Sequence, residues 1–401
     1  MVVFFDQRLK SGGNFQQSLN NILLTKHLEN VSLDIKYVTN LTENKNFLKK
    51  YKIDAIVYSP SLFSKLSLRF WIKSPFFIYK YLRKFFKHNH FEFFLKKLNT
   101  DIVYFISQSQ FVNYLESINY IFTLFDLCHL DYPEFPEVSN YREFENRENF
   151  FKKNLQRAVA VFVDSELGKK NAMSRYNLNP ERVFIFKFSP SNNTSSKHLT
   201  ENNLELDVKK KYNILFDFIY YPAQFWAHKN HIYILNAVKI LELSFGIKLA
   251  VIFSGSDFGN LKYIKKVTKI LELEERVKFV GFIPNDEIYF HYKQSLALVM
   301  PTYFGPTNLP PLEAFEISVP VIYSDLEGLR DQVGDAALLM DLDNPGSLAN
   351  HLNNLVKSEF IRNNLIERGQ NRLEQLNNKE ENLIILNSVL NKFKIIRSCW
   401  E

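Results

Sequence analysis

Short apolar runs alternate with helix-length segments along almost the whole chain, and this alternation constrains the fold more than any other feature. The runs form two series: 2–5, 33–38, 54–58, 101–106, 120–125, 159–163 and 182–186, then 216–221, 248–253, 276–280, 296–300, 320–323 and 337–340. Strands buried on both faces are nearly continuous apolar runs, and parallel strands need helical crossovers. The pattern therefore predicts two α/β domains, each built on a doubly wound, Rossmann-like parallel sheet.

A polar, turn-rich stretch separates the two series of runs. Residues 189–211 contain Ser-Pro-Ser-Asn-Asn-Thr-Ser-Ser and then charged residues, a composition that favours a linker. We predict a first domain over 1–195 and a second over 212–380, followed by a helical tail over 381–401. Two such domains facing across a cleft carry their ligand loops at the carboxyl ends of the strands, so we expect the active site between them.

Composition excludes several classes of protein. Of the 401 residues, 46% are hydrophobic and 23% are charged, which is ordinary for a globular protein and argues against disorder. The two cysteines, Cys128 and Cys399, rule out a disulfide scaffold and indicate a reducing compartment. No Cys/His cluster has the spacing of a zinc site. We expect neither a signal peptide nor a membrane-spanning helix, because no suitable apolar stretch occurs.

Positive charge is concentrated in residues 61–100. This segment has nine basic residues and one acid, Glu92, so that its net charge of +8 accounts for the +7 of the whole chain. Twelve aromatic residues interleave with the basic ones. Because cationic faces with aromatic residues bind anionic membranes, we predict binding to the inner face of the cytoplasmic membrane. A solvated helix packed on the core is the alternative, and no motif indicates a nucleic-acid partner.

The most informative stretch is 301–315, Pro-Thr-Tyr-Phe-Gly-Pro-Thr-Asn-Leu-Pro-Pro-Leu-Glu-Ala-Phe. Gly305 with Pro306 forces a turn. The two following prolines suit the first turn of a helix, and we place Glu313 in that turn. The free N–H groups of Thr307, Asn308 and Leu309 would then form an anion site. A plain strand–turn–helix crossover would give the same pattern.

The order of several motifs resembles one known family. Residues 301–325, ending in Val-Pro-Val-Ile-Tyr-Ser-Asp, resemble the donor-site signature of glycosyltransferase family 4, whose members are retaining enzymes of the GT-B fold. The resemblance extends over about 220–355 and implies a GT-B fold whose terminal helix returns to the first domain. Four other stretches resemble successive parts of the same donor domain: 221–231 (Tyr-Pro-Ala-Gln-Phe-Trp-Ala-His-Lys-Asn-His), 253–255 (Phe-Ser-Gly), 280–288 (Val-Gly-Phe-Ile-Pro-Asn-Asp-Glu-Ile) and 328–337 (Gly-Leu-Arg-Asp-Gln-Val-Gly-Asp-Ala-Ala).

The resemblance implies roles for individual donor-side residues. Glu313 matches the second Glu of the family's Glu-x7-Glu motif, which is expected to hold the ribose hydroxyls of the nucleotide. Lys229 matches the lysine expected on the donor diphosphate, although it also suits a solvated helix start. It is flanked by His228 and His231, one of which would cap the turn. Other donor-side candidates are Gly255 at a strand end, the base-framing Gly281, Phe282 and Ile283, and the glycine loop of Gly12 and Gly13.

Two departures from the family pattern concern the donor site. Thr302 occupies the position of the first Glu of the motif, in a loop two residues longer than usual. Sugar recognition by that carboxylate is therefore lost or taken over by Thr307 and Asn308. Gln224 replaces an Arg that often lies five residues before the lysine, so neutralisation of the diphosphate depends more on Lys229.

The acceptor side is less well defined. Residues 123–130, Thr-Leu-Phe-Asp-Leu-Cys-His-Leu, resemble a family strand that ends in His-Asp-Leu, with Phe125 at the usual His position. Asp126 and His129 are the candidates, although Asp126 equally suits a loop cap and His129 a structural role. Ser165 lies in a stretch that resembles the family's Ser-Glu turn, and we expect it to contact the acceptor or the surface between the domains.

The resemblance implies retaining transfer without a metal ion or another cofactor. Lys229, a helix dipole and backbone N–H groups would hold the departing nucleoside diphosphate, which helps deprotonate the acceptor on the same face. The expected reaction moves a hexose or deoxyhexose, preferably mannose or rhamnose, from a nucleotide sugar to a lipopolysaccharide, O-antigen or capsule glycan, which can be lipid-linked. Two alternatives stay open: a catalytically silent nucleotide- or glycan-binding protein, favoured by the missing first Glu, and a nucleotide-sugar 2-epimerase.

Overall fold

The computed structural model describes residues 1–8, 12–28, 33–73, 89–190, 206–376 and 379–400. By its internal packing the chain divides into two units, each made of separate stretches of sequence: unit 1 comprises Met1–Phe125, Glu145–Lys187 and Lys379–Glu401, and unit 2 comprises Asp126–Phe144 and Phe188–Asn378. This division differs from the predicted domains in two ways. The boundary between the units lies after Lys187, and Asp126–Phe144 belongs to unit 2.

Strands and helices alternate throughout the described residues. The strands are β1 (Val2–Phe5), β2 (Lys36–Thr39), β3 (Ala55–Val57), β4 (Ile102–Phe105), β5 (Asn119–Thr123), β6 (Ala160–Val163), β7 (Val183–Ile185), β8 (Phe218–Pro222), β9 (Ala250–Ser254), β10 (Val277–Gly281), β11 (Leu298–Met300), β12 (Val321–Ser324) and β13 (Leu338–Met340). The helices are α1 (Gly13–Thr25), α2 (Thr42–Lys49), α3 (Leu62–Lys73), α4 (His90–Lys97), α5 (Cys128–Asp131), α6 (Pro136–Ser139), α7 (Glu143–Asn154), α8 (Glu166–Tyr176), α9 (Val208–Lys211), α10 (His231–Phe245), α11 (Leu261–Ile270), α12 (Asn285–Lys293), α13 (Leu309–Glu316), α14 (Leu329–Val333), α15 (Pro345–Lys357), α16 (Glu359–Gln375) and α17 (Lys379–Arg397).

Unit 1 contains a parallel sheet of seven strands within its described residues, in the order β3-β2-β1-β4-β5-β6-β7. Strand β1 lies between β2 and β4, so that Val2 is beside both Lys36 and Val103. All four residues of β1 are buried, as expected for a strand covered by helices on both faces. The strand order reverses at β1, which is where doubly wound sheets place a ligand crevice.

The terminal helix α17 is part of unit 1. Its apolar face packs in the same core as the central strands and α1, through the buried residues Leu386, Val389, Leu390 and Phe393. The side chain of Asn382 pairs with the backbone of Lys187: its Nδ2 donates to the carbonyl at 3.0 Å and its Oδ1 accepts from the N–H at 3.2 Å. Helix α17 therefore completes a core whose other members come from the first half of the sequence.

Unit 2 is built on a second parallel sheet, for which the described residues supply six strands in the order β10-β9-β8-β11-β12-β13. Strand β8 lies in the middle, paired with β9 on one side and β11 on the other. Each apolar run predicted from the sequence overlaps one strand of the two sheets. The prediction of two doubly wound parallel sheets is thus confirmed.

The basic aromatic segment 61–100 is described only in part, because residues 74–88 lie outside the described residues. Helix α3 exposes 79% of Leu62, 81% of Phe63 and 64% of Leu66. Helix α4 is anchored by Glu92, whose buried Oε1 accepts from three consecutive backbone N–H groups, those of residues 116–118, at 2.7, 2.6 and 3.2 Å. No helix in the described part of the chain has the length and apolarity required to cross a bilayer.

Candidate functional site

Lys229 lies where two loops meet at the carboxyl edge of the unit 2 sheet. It ends a short helical turn, Ala227–Lys229, after β8, and the left-handed residue Asn230 (φ 52°) then leads into α10. Its Nζ lies 3.3 Å from Thr302 Oγ1 and 3.5 Å from Asn308 Oδ1, both in the loop between β11 and α13. Because β8 and β11 are neighbouring parallel strands, the loops after them meet at one edge. The structure therefore brings together three residues singled out in the sequence.

Lys229 is half-buried, and its ammonium group forms no ion pair with a carboxylate of the described residues. Burial lowers the pKa of Lys229 to about 8, although Cys128, Asp126 and Glu137 act to raise it. Its neighbours Thr302 and Asn308 offer neutral oxygen atoms only. A positive charge held in this way is suited to an anionic ligand, which would replace the solvation that burial removes.

The loop from 302 to 308 is fixed by its own hydrogen bonds and by a strained glycine. Gly305 has φ 95°, and a Cβ on it would lie 2.9 Å from the carbonyl oxygen of Thr307, so that only glycine fits. Thr302 is fully buried, and its Oγ1 accepts from the N–H of Phe304 at 3.3 Å. Thr302 therefore stabilises the base of the loop, at the position where the family motif has a carboxylate.

Asn308 is held by partners on two other elements. Its N–H donates to Gln332 Oε1 at 3.0 Å, and its Nδ2 donates to the hydroxyl of Tyr323 at 2.7 Å. The sequence predicted that the N–H groups of Thr307, Asn308 and Leu309 are free to bind an anion. For Asn308 this is wrong, because Gln332 occupies its N–H.

Glu313 lies in the second turn of α13 and not in the first, as the sequence had predicted. The helix begins at Leu309 and has no acidic residue in its first turn, with proline at the start. Glu313 Oε2 accepts a hydrogen bond of 2.7 Å from the hydroxyl of Tyr292, a buried residue of α12. Burial, followed by the charge of Glu313, raises the pKa of Tyr292 well above its usual value, so this phenol remains a donor.

Three predicted donor-side residues connect the loops after β8, β9 and β10. Gly255 has φ 153°, and a Cβ there would lie 2.3 Å from the carbonyl oxygen of Ala223. The N–H of Gly255 donates to the carbonyl of Gly281 at 2.8 Å, and Gln224 Oε1 accepts from the N–H of Ser256 at 2.5 Å. These contacts fix the shape of the carboxyl edge. The two residues that follow Gly281 differ in burial: Phe282 is 58% exposed and Ile283 is 5% exposed.

Gly12 precedes helix α1 of unit 1 and Gly13 begins it; Gly12 has φ 141°, and no atom of the described residues lies within 4 Å of its Cβ position. Near the end of β1, Asp6 accepts hydrogen bonds from Ser107 Oγ at 2.8 Å and Ser109 Oγ at 2.5 Å. Burial raises the pKa of Asp6. This carboxylate was not among the residues predicted from the sequence, and the approach of the two glycines to a ligand stays a prediction.

The acceptor-side candidates make local contacts. Asp126 Oδ1 accepts from the N–H of Cys128 at 3.1 Å, which is the loop-capping role considered for it, and His129 is buried with its ring edge-on to Phe144 at 5.6 Å. Ser165, in unit 1, caps helix α8 by accepting from the N–H of Gly168 at 3.0 Å. None of these contacts tests whether Asp126, His129 or Ser165 binds the acceptor, so their acceptor-side roles stay predictions.

Glu137 and His228 form a buried pair that the sequence analysis missed. Glu137 Oε1 accepts from the backbone N–H of His228 at 2.9 Å and from Nδ1 of its ring. Their side chains are only 9% and 10% exposed. Burial lowers the pKa of His228 to about 4 and outweighs the hydrogen bond to Glu137, which acts to raise it, while the charge of Lys229 also acts to lower it. Although burial acts to raise it, the hydrogen bonds from His228 lower the pKa of Glu137.

Two further contacts join the segment 126–144 to the loop that contains Thr302. Cys128 Sγ accepts from the N–H of Gly305 at 3.1 Å, and Phe135 packs edge-on to Phe304 at 5.3 Å. Among the described residues, no group of three or more His, Cys, Asp or Glu side chains could hold a metal ion. The expectation of a reaction without a metal or cofactor stays a prediction.

Known proteins resemble the chain most clearly in its second half. Residues 207–372 match the family model of glycosyl transferases group 1. The chain is 22% identical over 255 residues to the O-antigen chain mannosyltransferase B of Escherichia coli, covering 63% of this chain and 65% of that protein. It is 23% identical over 238 residues to the O-antigen chain mannosyltransferase RfbU of Salmonella typhimurium, covering 59% and 61%. The chain thus spans less than two thirds of the length of these relatives.

Solved structures share the fold of this chain over nearly its whole length. The structure of Anabaena Alr3699/HepE in complex with UDP-glucose has a TM-score of 0.70 to this chain at 15% identity, covering 98% of this chain and 99% of that one. The GT-B fold expected from the sequence is therefore confirmed. The stretch 207–372, which matches the family model of glycosyl transferases group 1, includes Lys229, Thr302, Asn308 and Glu313.

Proposed function

We propose that this protein is a retaining, family-4-like glycosyltransferase that moves a hexose from a nucleotide sugar to a cell-surface glycan. The observation that carries the proposal is the ammonium group of the half-buried Lys229, which contacts Thr302 Oγ1 and Asn308 Oδ1 and has no ion-pair partner among the described residues. In a glycosyl transferases group 1 domain, a nucleoside diphosphate is the anion that such a group would bind. Bond breaking places negative charge on that diphosphate, where a fixed cation stabilises the transition state.

The donor we favour is a nucleoside-diphosphate mannose. Two relatives are O-antigen chain mannosyltransferases, whereas the structural neighbour HepE was solved with UDP-glucose. We therefore place GDP-mannose first and UDP-glucose second as donors. Glu313, held by Tyr292, is proposed to accept hydrogen bonds from the ribose hydroxyls of either nucleotide.

The proposed reaction needs no covalent intermediate on the protein. An acceptor hydroxyl oxygen forms a bond to the anomeric carbon on the face from which the diphosphate departs. The electron pair of the broken bond remains on the diphosphate, and the hydroxyl proton passes to a departing phosphate oxygen. Lys229 stabilises the developing charge throughout this step.

The acceptor is proposed to be a growing O-antigen, lipopolysaccharide or capsule glycan at the inner face of the cytoplasmic membrane. Helix α3 exposes Leu62, Phe63 and Leu66, and α4 ends in the basic pair Lys96 and Lys97. Exposed apolar residues beside basic ones suit an anionic bilayer surface. In flotation with anionic liposomes, we expect Leu62, Phe63 and Leu66 changed together to Ser to reduce the bound fraction at least fivefold. Unchanged flotation contradicts the membrane proposal and leaves the transferase proposal standing.

The transferase proposal is tested by release of nucleoside diphosphate. Purified protein is given GDP-mannose or UDP-glucose, with and without an undecaprenyl-linked O-antigen acceptor, and the anomeric configuration of the product is read by NMR. Release that requires the acceptor, with retained configuration, supports the proposal. Conversion of the donor without an acceptor indicates an epimerase, and binding without turnover of any donor indicates a silent binding protein.

A further inference from the structure

His228 lies at the edge of the proposed donor site, where its backbone and ring make hydrogen bonds and aromatic contacts. Its N–H and ring Nδ1 are both bound by Glu137. One ring face stacks on Phe304 at 4.1 Å and 11°, and Trp226 lies nearly parallel at 6.3 Å and 24°. In the part of the chain that the structure describes, Nε2 of His228 has no hydrogen-bond partner. With Nδ1 bonded to Glu137 and one ring face stacked on Phe304, the Nε2 edge is the part of the ring available to a ligand.

The partner of Nδ1 determines what Nε2 can bind. A carboxylate accepts only, so Glu137 fixes the hydrogen on Nδ1 and leaves a lone pair on Nε2. The imidazole is neutral at physiological pH, because burial and the charge of Lys229 hold its pKa near 4. A neutral ring in this tautomer accepts a hydrogen bond. It therefore suits a hydroxyl group and not a phosphate oxygen, which has no hydrogen to donate.

The backbone places His228 beside the proposed site of the diphosphate. Lys229 is the next residue, and the carbonyl of His228 accepts from the N–H of Tyr303 at 3.0 Å. His228 is thus joined by both its backbone and its ring to the loop whose Thr302 and Asn308 contact the ammonium. In the donor of the proposed reaction, a sugar is attached to the diphosphate.

We propose that His228 is a sugar-binding residue whose Nε2 accepts a hydrogen bond from a hydroxyl next to the donor diphosphate, and that Glu137 is its positioning residue. The inference rests on the proposed function, since it presumes a nucleotide sugar at Lys229. The hydroxyl belongs either to the transferred hexose or to the acceptor glycan. Both sources present the same chemistry, and the experiment separates them.

Two substitutions of His228 form a matched pair. His228→Asn keeps a polar atom near Nδ1, where it can still bind Glu137, and removes the one at Nε2. His228→Gln places an amide near Nε2 and can present its carbonyl oxygen to the hydroxyl. Calorimetric titration with GDP, GDP-mannose, UDP and UDP-glucose, together with the KM for the acceptor, measures the consequences, and thermal unfolding shows that both variants fold.

If the hydroxyl belongs to the transferred hexose, His228→Asn weakens binding of the nucleotide sugar about fivefold and leaves the nucleoside diphosphate unchanged, and His228→Gln restores most of the loss. If the hydroxyl belongs to the acceptor, nucleotide-sugar binding is unchanged and the acceptor KM rises by a similar factor. The proposal is overturned if neither quantity changes. It is also overturned if binding of the nucleoside diphosphate weakens by the same factor as binding of the nucleotide sugar. Wild-type protein that binds none of the four nucleotides contradicts the proposed function itself, and this proposal with it.

Glu137→Gln tests the positioning role separately. The amide can still accept a hydrogen bond, but it no longer requires the hydrogen to be on Nδ1. We expect the ring nitrogen NMR shifts of His228 to move from the Nδ1–H tautomer toward a mixture, and the nucleotide sugar or acceptor to bind more weakly in parallel. An unchanged tautomer and unchanged affinities would remove Glu137 from the proposal.

Discussion

The side-chain amide of Gln332 binds the backbone of Asn308 through both of its polar atoms. Oε1 accepts from the N–H of Asn308 at 3.0 Å, and Nε2 donates to its carbonyl at 2.6 Å. Asn308 in turn directs its Oδ1 to the ammonium of Lys229 at 3.5 Å. A buried residue of α14 therefore fixes the loop that faces the proposed diphosphate, although nothing indicates that it contacts a ligand itself.

Gln332→Ala is expected to lower the free energy of unfolding by about 1–3 kcal/mol, because both backbone groups of Asn308 lose their buried partner. The KM for the nucleotide sugar is expected to rise more than kcat falls, since the loop of the variant must be ordered by the ligand during binding. Urea unfolding and initial-rate kinetics measure the two effects. Gln332→Glu is the control: it can still accept from the N–H but cannot donate to the carbonyl. A Gln332→Ala protein as stable as wild type would show that the contact does not hold the loop.

Lys229→Ala is expected to lower kcat about 10²-fold, the usual scale for loss of one charge-stabilising contact. The affinity for the nucleotide sugar is also expected to depend on pH, in a direction set by the charge of Lys229. With a pKa of about 8, Lys229 is charged below that pH, so affinity for the nucleotide sugar should fall as pH rises from 7 to 9. The neighbouring His228, with its pKa of about 4, does not titrate in this range.

Lys229→Arg separates this titration from other causes. A guanidinium stays charged throughout the range, so the fall in affinity between pH 7 and 9 should disappear. Calorimetry with GDP-mannose or UDP-glucose measures it, because the esterified diphosphate of a nucleotide sugar has no protonation step there. The same alkaline fall in both proteins would exclude Lys229 as its source.

Glu313→Ala is expected to lower turnover about 10²-fold through loss of the ribose contact. Tyr292→Phe removes the hydroxyl that donates to Glu313 Oε2 and leaves the carboxylate in place. We expect about a fivefold rise in donor KM with little change in kcat, because only the orientation of the carboxylate is loosened. Equal effects of the two substitutions would contradict this, because they would show that Glu313 has no function without the hydrogen bond from Tyr292.

Gly255→Ala is expected to lower the free energy of unfolding by about 3 kcal/mol or more, since the new Cβ would lie 2.3 Å from the carbonyl oxygen of Ala223. Gly246→Ala is the matched control. Gly246 has φ 66° and no atom within 4 Å of its Cβ position, so it carries only backbone strain of about 1 kcal/mol. Similar losses of stability in the two variants would show that the close approach at Gly255 is unimportant.

Much of the fold could be predicted because its strands are buried on both faces. Such strands appear in the sequence as uninterrupted apolar runs, and each predicted run overlaps a strand. The family resemblance, and not the apolar pattern, assigned Lys229 and the loop 301–308 to one donor site, and the structure places both after neighbouring strands. Chain reversals with glycine or proline, such as the one at Gly305, could be located for the same local reasons.

The contacts that complete the site could not be predicted, because their partners are distant in sequence and follow no spacing rule. Glu137 is 91 residues from His228, and Gln332 is 24 residues from Asn308. The position of Glu313 was predicted one turn too early, since the start of α13 depends on where the preceding loop ends. The assignment of Asp126–Phe144 to unit 2 likewise depends on packing that no local pattern encodes.

Helix α17 sets the order in which the two units can be finished during synthesis on the ribosome. Unit 1 takes Leu386, Leu390 and Phe393 into a core otherwise built from residues before 188. Every residue of unit 2 has emerged by the time residue 378 leaves the exit tunnel. The rest of unit 1, although translated first, cannot complete its core until helix α17 has emerged, and until then the apolar residues that this helix covers stay accessible to solvent.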